Sequence, residues 1–228
     1  MGVIYLVRHG QAPAQAYGSS GAAQEFTGLT ELGREQARLA GEALAARIGP
    51  LTAAFSGDLA RQRETLDGVL TALGSDVAPQ CDPRWNEYDI AAVLGGGDLA
   101  VTTTGSTLQG ILDSALEEWA TRPSGDGDLE SFADYRSRCS GALSAVQELA
   151  GSGQTVLVVS SSGTITQILA QLWAMSPQSW IPLARTMVNA SITKLIVGRR
   201  GVSVVSVNEH AHLDTPDDTG ARPVLTFR

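Results

Sequence analysis

The chain has 228 residues, of which 43% are hydrophobic, and its formal net charge is -8. This apolar content is sufficient for a packed core and argues against intrinsic disorder. The negative charge argues against nucleic acid or an anionic membrane as the main partner, because such partners require clustered cationic side chains. No apolar run approaches the length of a membrane span, and the N-terminus lacks the pattern of a signal peptide.

Cysteine and histidine are both scarce. Cys81 and Cys139 lack metal-ligand spacing and are typical of ordinary thiols in a cytoplasmic protein, although a single bridge between them stays open. The three histidines are His9, His210 and His212, too few and too scattered to predict a multi-histidine metal site. We therefore expect a cytoplasmic protein without a metal or other cofactor.

An apolar run over residues 3–7 leads directly into Arg8 and His9. An unbroken apolar run predicts a strand buried on both faces, as in a central parallel sheet. Open α/β sheets bind ligands beyond the carboxyl ends of their strands. The sequence therefore predicts a cation and an imidazole at a ligand-binding edge, although an isolated Arg-His pair more often only ends a strand near water.

A helix is predicted from Thr30, its N-cap, to Gly49-Pro50, and a short apolar strand follows over residues 52–55. The next helix has a buried stripe of leucine and valine, with Asp58 as its expected cap and Arg61 in its first turn. This placement puts Arg61 beside the end of the second strand. Arg63 is expected to be an exposed surface residue.

Glu87 and Asp89 lie in the polar stretch that follows. A solvated acidic loop explains these residues as well as a proton-donating acid does. Two amphipathic helices are predicted over residues 108–119 and 132–149. Residues 155–160 form another apolar strand before Ser161, and backbone N–H groups at the start of the next helix could hold a phosphate oxygen. The last elements predict a β-hairpin over residues 190–207.

Three segments carry a resemblance: Leu6-Val7-Arg8-His9-Gly10, the stretch from Leu29 to Ala37, and the Ser-x-x-Leu-x-Arg-x-x-x-Thr pattern of residues 56–65. They resemble the signatures of the histidine phosphatase superfamily, the phosphoglycerate mutase-like enzymes. The resemblance implies an α/β fold, a three-layer α/β/α sandwich with a largely parallel central sheet. It also implies a single domain over residues 1–228, with a helical cap inserted at about residues 90–131.

The same resemblance assigns roles to individual residues. His9 becomes the nucleophile, Arg8 and Arg61 clamp the phosphoryl group, and Glu87 donates the proton. Asp89 is the reserve acid on its spacing alone, because it lies two residues further on and shares the face of Glu87 in an extended chain. The family normally reads Val-Ser-His-Gly-Gly where this chain has Val159-Ser160-Ser161, so Ser161 stands in place of a second catalytic histidine. We expect Ser161 to bind phosphate through a neutral hydrogen bond.

The function implied is metal-independent hydrolysis of small phosphorylated metabolites through a phosphohistidine intermediate, with a mutase less favoured. The alternative is a weakly active or inactive family member that binds a phosphorylated ligand. Two further ideas stay open from the sequence. His210 or His212 could fold back to replace the missing imidazole, and Ser161 could be the nucleophile of a serine hydrolase, although its sequence context fits that poorly.

Overall fold

A computed structural model describes residues 1–13, 28–93, 105–122, 129–176 and 179–227. Its sheet has the strand order β3-β2-β4-β1-β5-β6. The first four strands in that order are parallel, whereas β5 and β6 are antiparallel and form the expected hairpin. The strands are β1 (Gly2–Arg8), β2 (Ala53–Ser56), β3 (Pro79–Cys81), β4 (Thr155–Ser160), β5 (Ile192–Gly198) and β6 (Gly201–Glu209). The largely parallel α/β sheet is therefore confirmed.

The helices follow the predicted apolar stripes. They are α1 (Glu31–Ala45), α2 (Ala60–Leu73), α3 (Ile90–Val93), α4 (Gly105–Thr121), α5 (Phe132–Leu149), α6 (Ser162–Leu172) and α7 (Trp180–Thr186), with a short 3-10 helix at Pro83–Trp85. None of the helices in the described ranges is long and apolar enough to cross a bilayer.

The helix caps match the sequence in one case and differ in another. Thr30 caps α1, because its Oγ1 accepts a hydrogen bond from the Gly33 N–H at 3.0 Å. The expectation for Asp58 is wrong, since the N-cap of α2 is Leu59 and no side chain caps that helix. The Asp58 carboxylate instead accepts a hydrogen bond from the Asn86 amide at 2.5 Å.

Alternate residues of β1 bury opposite faces of the sheet, as a period of two requires. Ile4 and Leu6 join one core with residues of α5, α6 and α7. Tyr5 and Val7 join a second core with residues of α1 and α2. Helices therefore cover both faces, and the three-layer sandwich is confirmed.

The cap predicted at about residues 90–131 lies partly outside the described residues, at 94–104 and 123–128, which include the glycine run at 95–97. Its described part is helical: α4 contacts α5 and α7 and buries Leu116 and Trp119. The Trp119 indole N–H donates to the Glu130 carbonyl at 3.1 Å, which ties α4 to the segment before α5.

Three parallel strands end together at one edge of the sheet. Arg8 at the end of β1 is in register with Ser160 at the end of β4, and Ser56 at the end of β2 is in register with Val159. The residues that follow these strands, among them His9 and Ser161, therefore meet at the edge where open α/β sheets bind ligands.

Candidate active site

The backbone and ring contacts of His9 determine its tautomer. The side chain is 1% exposed, and its Nδ1 lies 2.7 Å from the Gly10 carbonyl oxygen. A carbonyl only accepts hydrogen bonds, so Nδ1 carries the proton. The Nε of Arg61 donates to the other ring nitrogen, Nε2, at 3.3 Å. The imidazole is thus neutral, with its lone pair on Nε2 turned towards a guanidinium.

The electrostatics of the pocket favour the same state. Burial lowers the pKa of His9 well below its ordinary value, and the positive charges of Arg61 and Arg8 lower this pKa further. Both effects disfavour a second proton on the ring. The pocket therefore favours the neutral form of His9.

Arg61 is fixed by its place in the first turn of α2, where it is 6% exposed. The hydroxyl of Thr65 donates to the Arg61 backbone carbonyl at 2.7 Å. The same hydroxyl oxygen accepts a hydrogen bond from the Gly10 N–H at 3.0 Å. Thr65 thereby joins α2 to the turn that carries His9. Arg63, two residues along, is exposed, as its sequence interpretation predicts.

Arg8 is also buried, but its contacts run towards the C-terminal segment. Its Nη1 donates to the carbonyl of Met187 and, at 2.9 Å, to that of Phe227. The segment is held by Asn189, whose backbone N–H donates to the Thr226 carbonyl at 2.9 Å. The Asn189 side chain also donates to the His9 carbonyl at 3.2 Å. Arg8 therefore acts electrostatically on His9, and its guanidinium is anchored by main-chain oxygens.

The Glu87 carboxylate lies against the start of α6. Its Oε2 accepts from the Gly163 N–H at 2.9 Å, and its Oε1 accepts from the Tyr88 N–H at 3.2 Å. A Cβ at position 163 would lie 2.3 Å from Oε1, so only glycine permits this approach. The N–H group of Gly163, considered above for a phosphate oxygen, is thus bonded to a carboxylate. Asp89, the reserve acid, is exposed.

Burial raises the pKa of Glu87, although the Gly163 N–H and the charges of Arg61 and Arg8 act in the opposite direction. A carboxyl group with a raised pKa holds its proton at higher pH than an ordinary glutamate. Those two charges act on His9 as well as on Glu87, so His9 and Glu87 belong to one electrostatic cluster.

The loop that carries Glu87 is held by Arg138 of α5. Its Nη1 donates to the carbonyls of Arg84 and Asn86 at 3.0 and 2.8 Å, and its Nη2 donates to that of Glu87 at 3.3 Å. Glu130 orients the guanidinium through a salt bridge of 2.6 Å. Sequence reasoning missed Arg138, because its partners are backbone carbonyls that leave no pattern in the sequence.

Ser161 begins α6 and is 1% exposed. Its Oγ accepts a hydrogen bond from Nε2 of Gln62 at 2.8 Å. This geometry does not support a serine nucleophile, because the neighbouring group is an amide donor and not a base. Sequence reasoning also missed Gln62. The available signal was its spacing, since Gln62 interrupts the apolar stripe of α2 between Leu59 and Leu66.

The other two histidines bond to backbone carbonyls elsewhere. His212 Nε2 lies 3.1 Å from the Ala190 carbonyl oxygen, and His210 Nδ1 lies 2.5 Å from that of Asn208. In the part of the chain that the structure describes, neither ring hydrogen-bonds to the side chain of His9 or Ser161. Among the described residues, no group of three or more His, Cys, Asp or Glu side chains is arranged to hold a metal ion.

The family model of the histidine phosphatase superfamily (branch 1) matches residues 4–210. The chain belongs to this superfamily. Within it, the chain is 33% identical to the glucosyl-3-phosphoglycerate phosphatase of Mycolicibacterium vanbaalenii over 203 residues, which cover 84% of this chain and 83% of the relative. A shorter match, 41% identical over 85 residues, covers 37% of this chain and 14% of the PE-PGRS family protein PE_PGRS11 of Mycobacterium tuberculosis.

Solved structures of histidine phosphatases share the fold. A mycobacterial glucosyl-3-phosphoglycerate phosphatase in complex with VO3 superposes with a TM-score of 0.65 at 25% identity, over 92% of this chain and all of the other. The family-model match over residues 4–210 includes His9, Arg61 and Ser161. Superfamily membership and these relatives point to a phosphatase or mutase type of enzyme.

Proposed function

We propose that the protein hydrolyses phosphate monoesters of small metabolites through a phosphohistidine on His9. The observation that carries this proposal is the state of the imidazole. The Nδ1–H is bonded to the Gly10 carbonyl, and Nε2 keeps its lone pair beside the Arg61 guanidinium. A phosphorus nucleophile needs this combination of an unprotonated nitrogen and a nearby cation that stabilises charge on the transferring group.

The reaction has two halves. The lone pair of His9 Nε2 forms a bond to phosphorus while the bond to the leaving oxygen breaks, and Glu87 gives its proton to that oxygen. Water then attacks phosphorus and yields its proton to the Glu87 carboxylate, while the N–P bond breaks and returns its electron pair to Nε2. The raised pKa of Glu87 suits the first half, because the group must enter the reaction protonated.

Arg61 and Arg8 serve as the clamp for the phosphoryl oxygens, and Ser161 serves as a neutral hydrogen-bond donor. Arginine suits the clamp because its guanidinium stays charged and binds phosphate oxygens through a planar fork. This chemistry requires no metal ion. The whole of residues 1–228 acts as one domain in this proposal, with the segment at about 90–131 as a cap over the substrate.

The 33% identical relative supports a small phosphorylated substrate, since its name gives glucosyl-3-phosphoglycerate as the molecule it dephosphorylates. We infer a phosphorylated small metabolite for this chain too, and no nucleic acid or membrane partner. Cytoplasmic location stays a prediction from the sequence.

The second candidate is a protein that binds a phosphorylated ligand without turning it over. The sequence resemblance favours it, because it predicts an imidazole where this chain has the neutral hydroxyl of Ser161, and the pocket then has fewer strong donors than the family pattern provides. Losing one preorganised donor typically costs roughly 10²–10³-fold in rate. This candidate predicts that the arginines matter for ligand binding while His9 does not.

The deciding experiment measures release of p-nitrophenol from its phosphate ester with EDTA present, for the wild type and His9→Ala. Activity that survives EDTA and disappears in His9→Ala supports the phosphatase. Alkaline quenching during turnover should trap phosphate on the protein, and His9→Ala should trap none. Equal rates for wild type and variant on a panel of phosphomonoesters would favour the binder.

A further inference from the structure

The amide of Gln62 is held in one orientation. Its Nε2 lies 3.1 Å from the Trp85 carbonyl oxygen and 2.8 Å from Ser161 Oγ. The side chain is completely buried. Because a carbonyl can only accept, the amide atom facing Trp85 must be nitrogen, and its second hydrogen then points at Ser161.

This orientation determines what the Ser161 hydroxyl can do. Its oxygen accepts from Gln62, so its own proton must point elsewhere. The Trp85 carbonyl cannot take that proton readily, because it already accepts from Gln62 and, at 2.6 Å, from Ser160 Oγ. Within the described residues, the Ser161 hydroxyl donates to no other group.

Ser161 and His9 are neighbours at the edge of the sheet. Their strands are paired in parallel, and the His9 N–H donates to the Ser160 carbonyl at 2.8 Å. A phosphoryl group on His9 Nε2 would therefore lie at the same edge of the sheet as Ser161, the N-cap residue of α6. Its oxygens are acceptors that could take the proton that Gln62 leaves uncommitted.

We propose that Gln62 is a positioning residue, which holds Ser161 as an acceptor and thereby aims its hydroxyl proton at the phosphoryl group. This inference rests on the proposed phosphohistidine function and deepens it. Gln62 and Ser161 act as one unit in place of a single charged side chain. Ser161 contacts the phosphoryl group, whereas Gln62 acts only through Ser161.

The surrounding chain is built around the glutamine side chain. A Cβ at position 57 would lie 2.0 Å from Gln62 Oε1, so the amide occupies space that only glycine leaves open. That oxygen accepts no hydrogen bond from the described residues. The site therefore supplies hydrogen-bond partners to the amide nitrogen and, among the described residues, none to the amide oxygen.

The test is a double-mutant cycle on hydrolysis of p-nitrophenyl phosphate. Gln62→Leu keeps much of the side-chain volume and removes the donor, so kcat should fall about tenfold while KM changes by less than about twofold. In the Ser161→Ala background, the same substitution should have no further effect on kcat. Multiplicative losses would show that Gln62 acts independently of Ser161 and would overturn the proposal.

Two more variants separate positioning from general destabilisation. Gln62→Glu preserves the shape but replaces a donor with acceptors, which should draw the Ser161 proton away and lower kcat at least as much as Gln62→Leu. Gln167 is a second buried glutamine and lies in α6, so Gln167→Leu should leave kcat unchanged. Thermal unfolding of each variant is measured alongside, and a kcat loss that follows melting temperature across all variants would contradict the positioning role.

Orthovanadate titration by calorimetry distinguishes failure of this inference from failure of the phosphatase. If the wild type hydrolyses the ester and Gln62→Leu has the same kcat, this inference is overturned and the phosphatase proposal stands. An inactive wild type that binds vanadate about tenfold more tightly than Gln62→Leu overturns hydrolysis and sustains the inference. A wild type that neither hydrolyses esters nor binds vanadate overturns both.

Discussion

The Nε of Arg61 donates to Nε2 of His9 at 3.3 Å, so the first turn of α2 places a permanent cation directly against the lone pair of the imidazole. This contact has two consequences. It lowers the pKa of His9, together with burial and Arg8, because a second proton on the ring would face a positive charge. In the proposed reaction, it also leaves a guanidinium where negative charge would develop as phosphorus approaches Nε2.

Replacing Arg61 separates these two consequences. Arg61→Lys retains a charge but loses the fork, so we expect kcat to fall roughly 10²-fold with the acid limb of the kcat/KM profile little changed. Arg61→Met also removes the charge, so the pKa of His9 should rise and the acid limb should move to higher pH. Rates on p-nitrophenyl phosphate from acidic to neutral pH measure both effects.

Arg63→Lys and Arg63→Met are the matched controls, since Arg63 lies on the exposed side of the same helix. Neither should change kcat or the position of the acid limb. An acid limb that stays in place in Arg61→Met would contradict the proposed coupling between the two side chains.

The edge occupied by His9 and Arg61 could be predicted because strong local patterns place both residues. An unbroken apolar strand precedes His9, and a leucine stripe positions Arg61 in the first turn of its helix. The prediction that Asp58 caps α2 is wrong because of a contact that no local sequence pattern reveals. Its carboxylate bonds Asn86 across the fold, and this partner is 28 residues away in the chain.

If Glu87 is the proton donor, the effect of removing it should depend on the leaving group of the ester. A protonated carboxyl matters most for an alkoxide, because alkoxides leave poorly without a proton. We expect Glu87→Gln to slow hydrolysis of an alkyl phosphate such as glycerol phosphate roughly 10²–10⁴-fold and that of p-nitrophenyl phosphate much less. Steady-state rates on both esters provide the measurement.

The pH profile provides an independent check of Glu87. Burial raises its pKa, so the proton is kept as pH rises and is lost only above that raised value. Wild-type rates on an alkyl phosphate should therefore fall on the alkaline side, and Glu87→Gln should lack that limb. Asp89→Asn is the control, because Asp89 is exposed. If Asp89→Asn removed the limb instead, the acid would be Asp89.

Arg138 should affect catalysis by holding the loop that carries Glu87, without contacting the substrate. Arg138→Ala leaves the carbonyls of Arg84, Asn86 and Glu87 without this donor, which we expect to cost about 1–3 kcal/mol in the free energy of unfolding. The loosened loop should also slow hydrolysis of the alkyl ester more than that of p-nitrophenyl phosphate. Arg136→Ala, on the exposed side of α5, is the control for both chemical denaturation and rates. Equal losses on both esters would assign Arg138 to stability alone.

The pair formed by Gln62 and Ser161 illustrates what sequence comparison alone cannot supply. Position 161 draws attention because the resemblance predicts histidine there, whereas position 62 draws attention only as a polar residue in an apolar stripe. Their coupling is a contact of 2.8 Å between residues 99 positions apart. The fold brings the first turn of α2 to the N-cap of α6, and no periodicity in either segment reveals this contact.

Restoring histidine at position 161 should therefore fail unless Gln62 is also changed. An imidazole is larger than a hydroxymethyl group, and the Gln62 amide already lies 2.8 Å from Ser161 Oγ in a buried site. Overpacking a filled interior typically costs about 1–3 kcal/mol. We expect Ser161→His to lower the melting temperature and to give no gain in kcat, whereas Ser161→His with Gln62→Ala should recover stability and exceed the wild-type kcat.

The four proteins of this cycle are compared by thermal unfolding and by kcat on p-nitrophenyl phosphate. Gln62→Ala alone opens the space without supplying a donor, so its kcat should be below that of the wild type. The gain of the double variant over both single variants is then a coupling between neighbouring positions, since distant sites combine additively. If Ser161→His alone raised kcat with unchanged stability, Gln62 would not occupy the space that the imidazole needs.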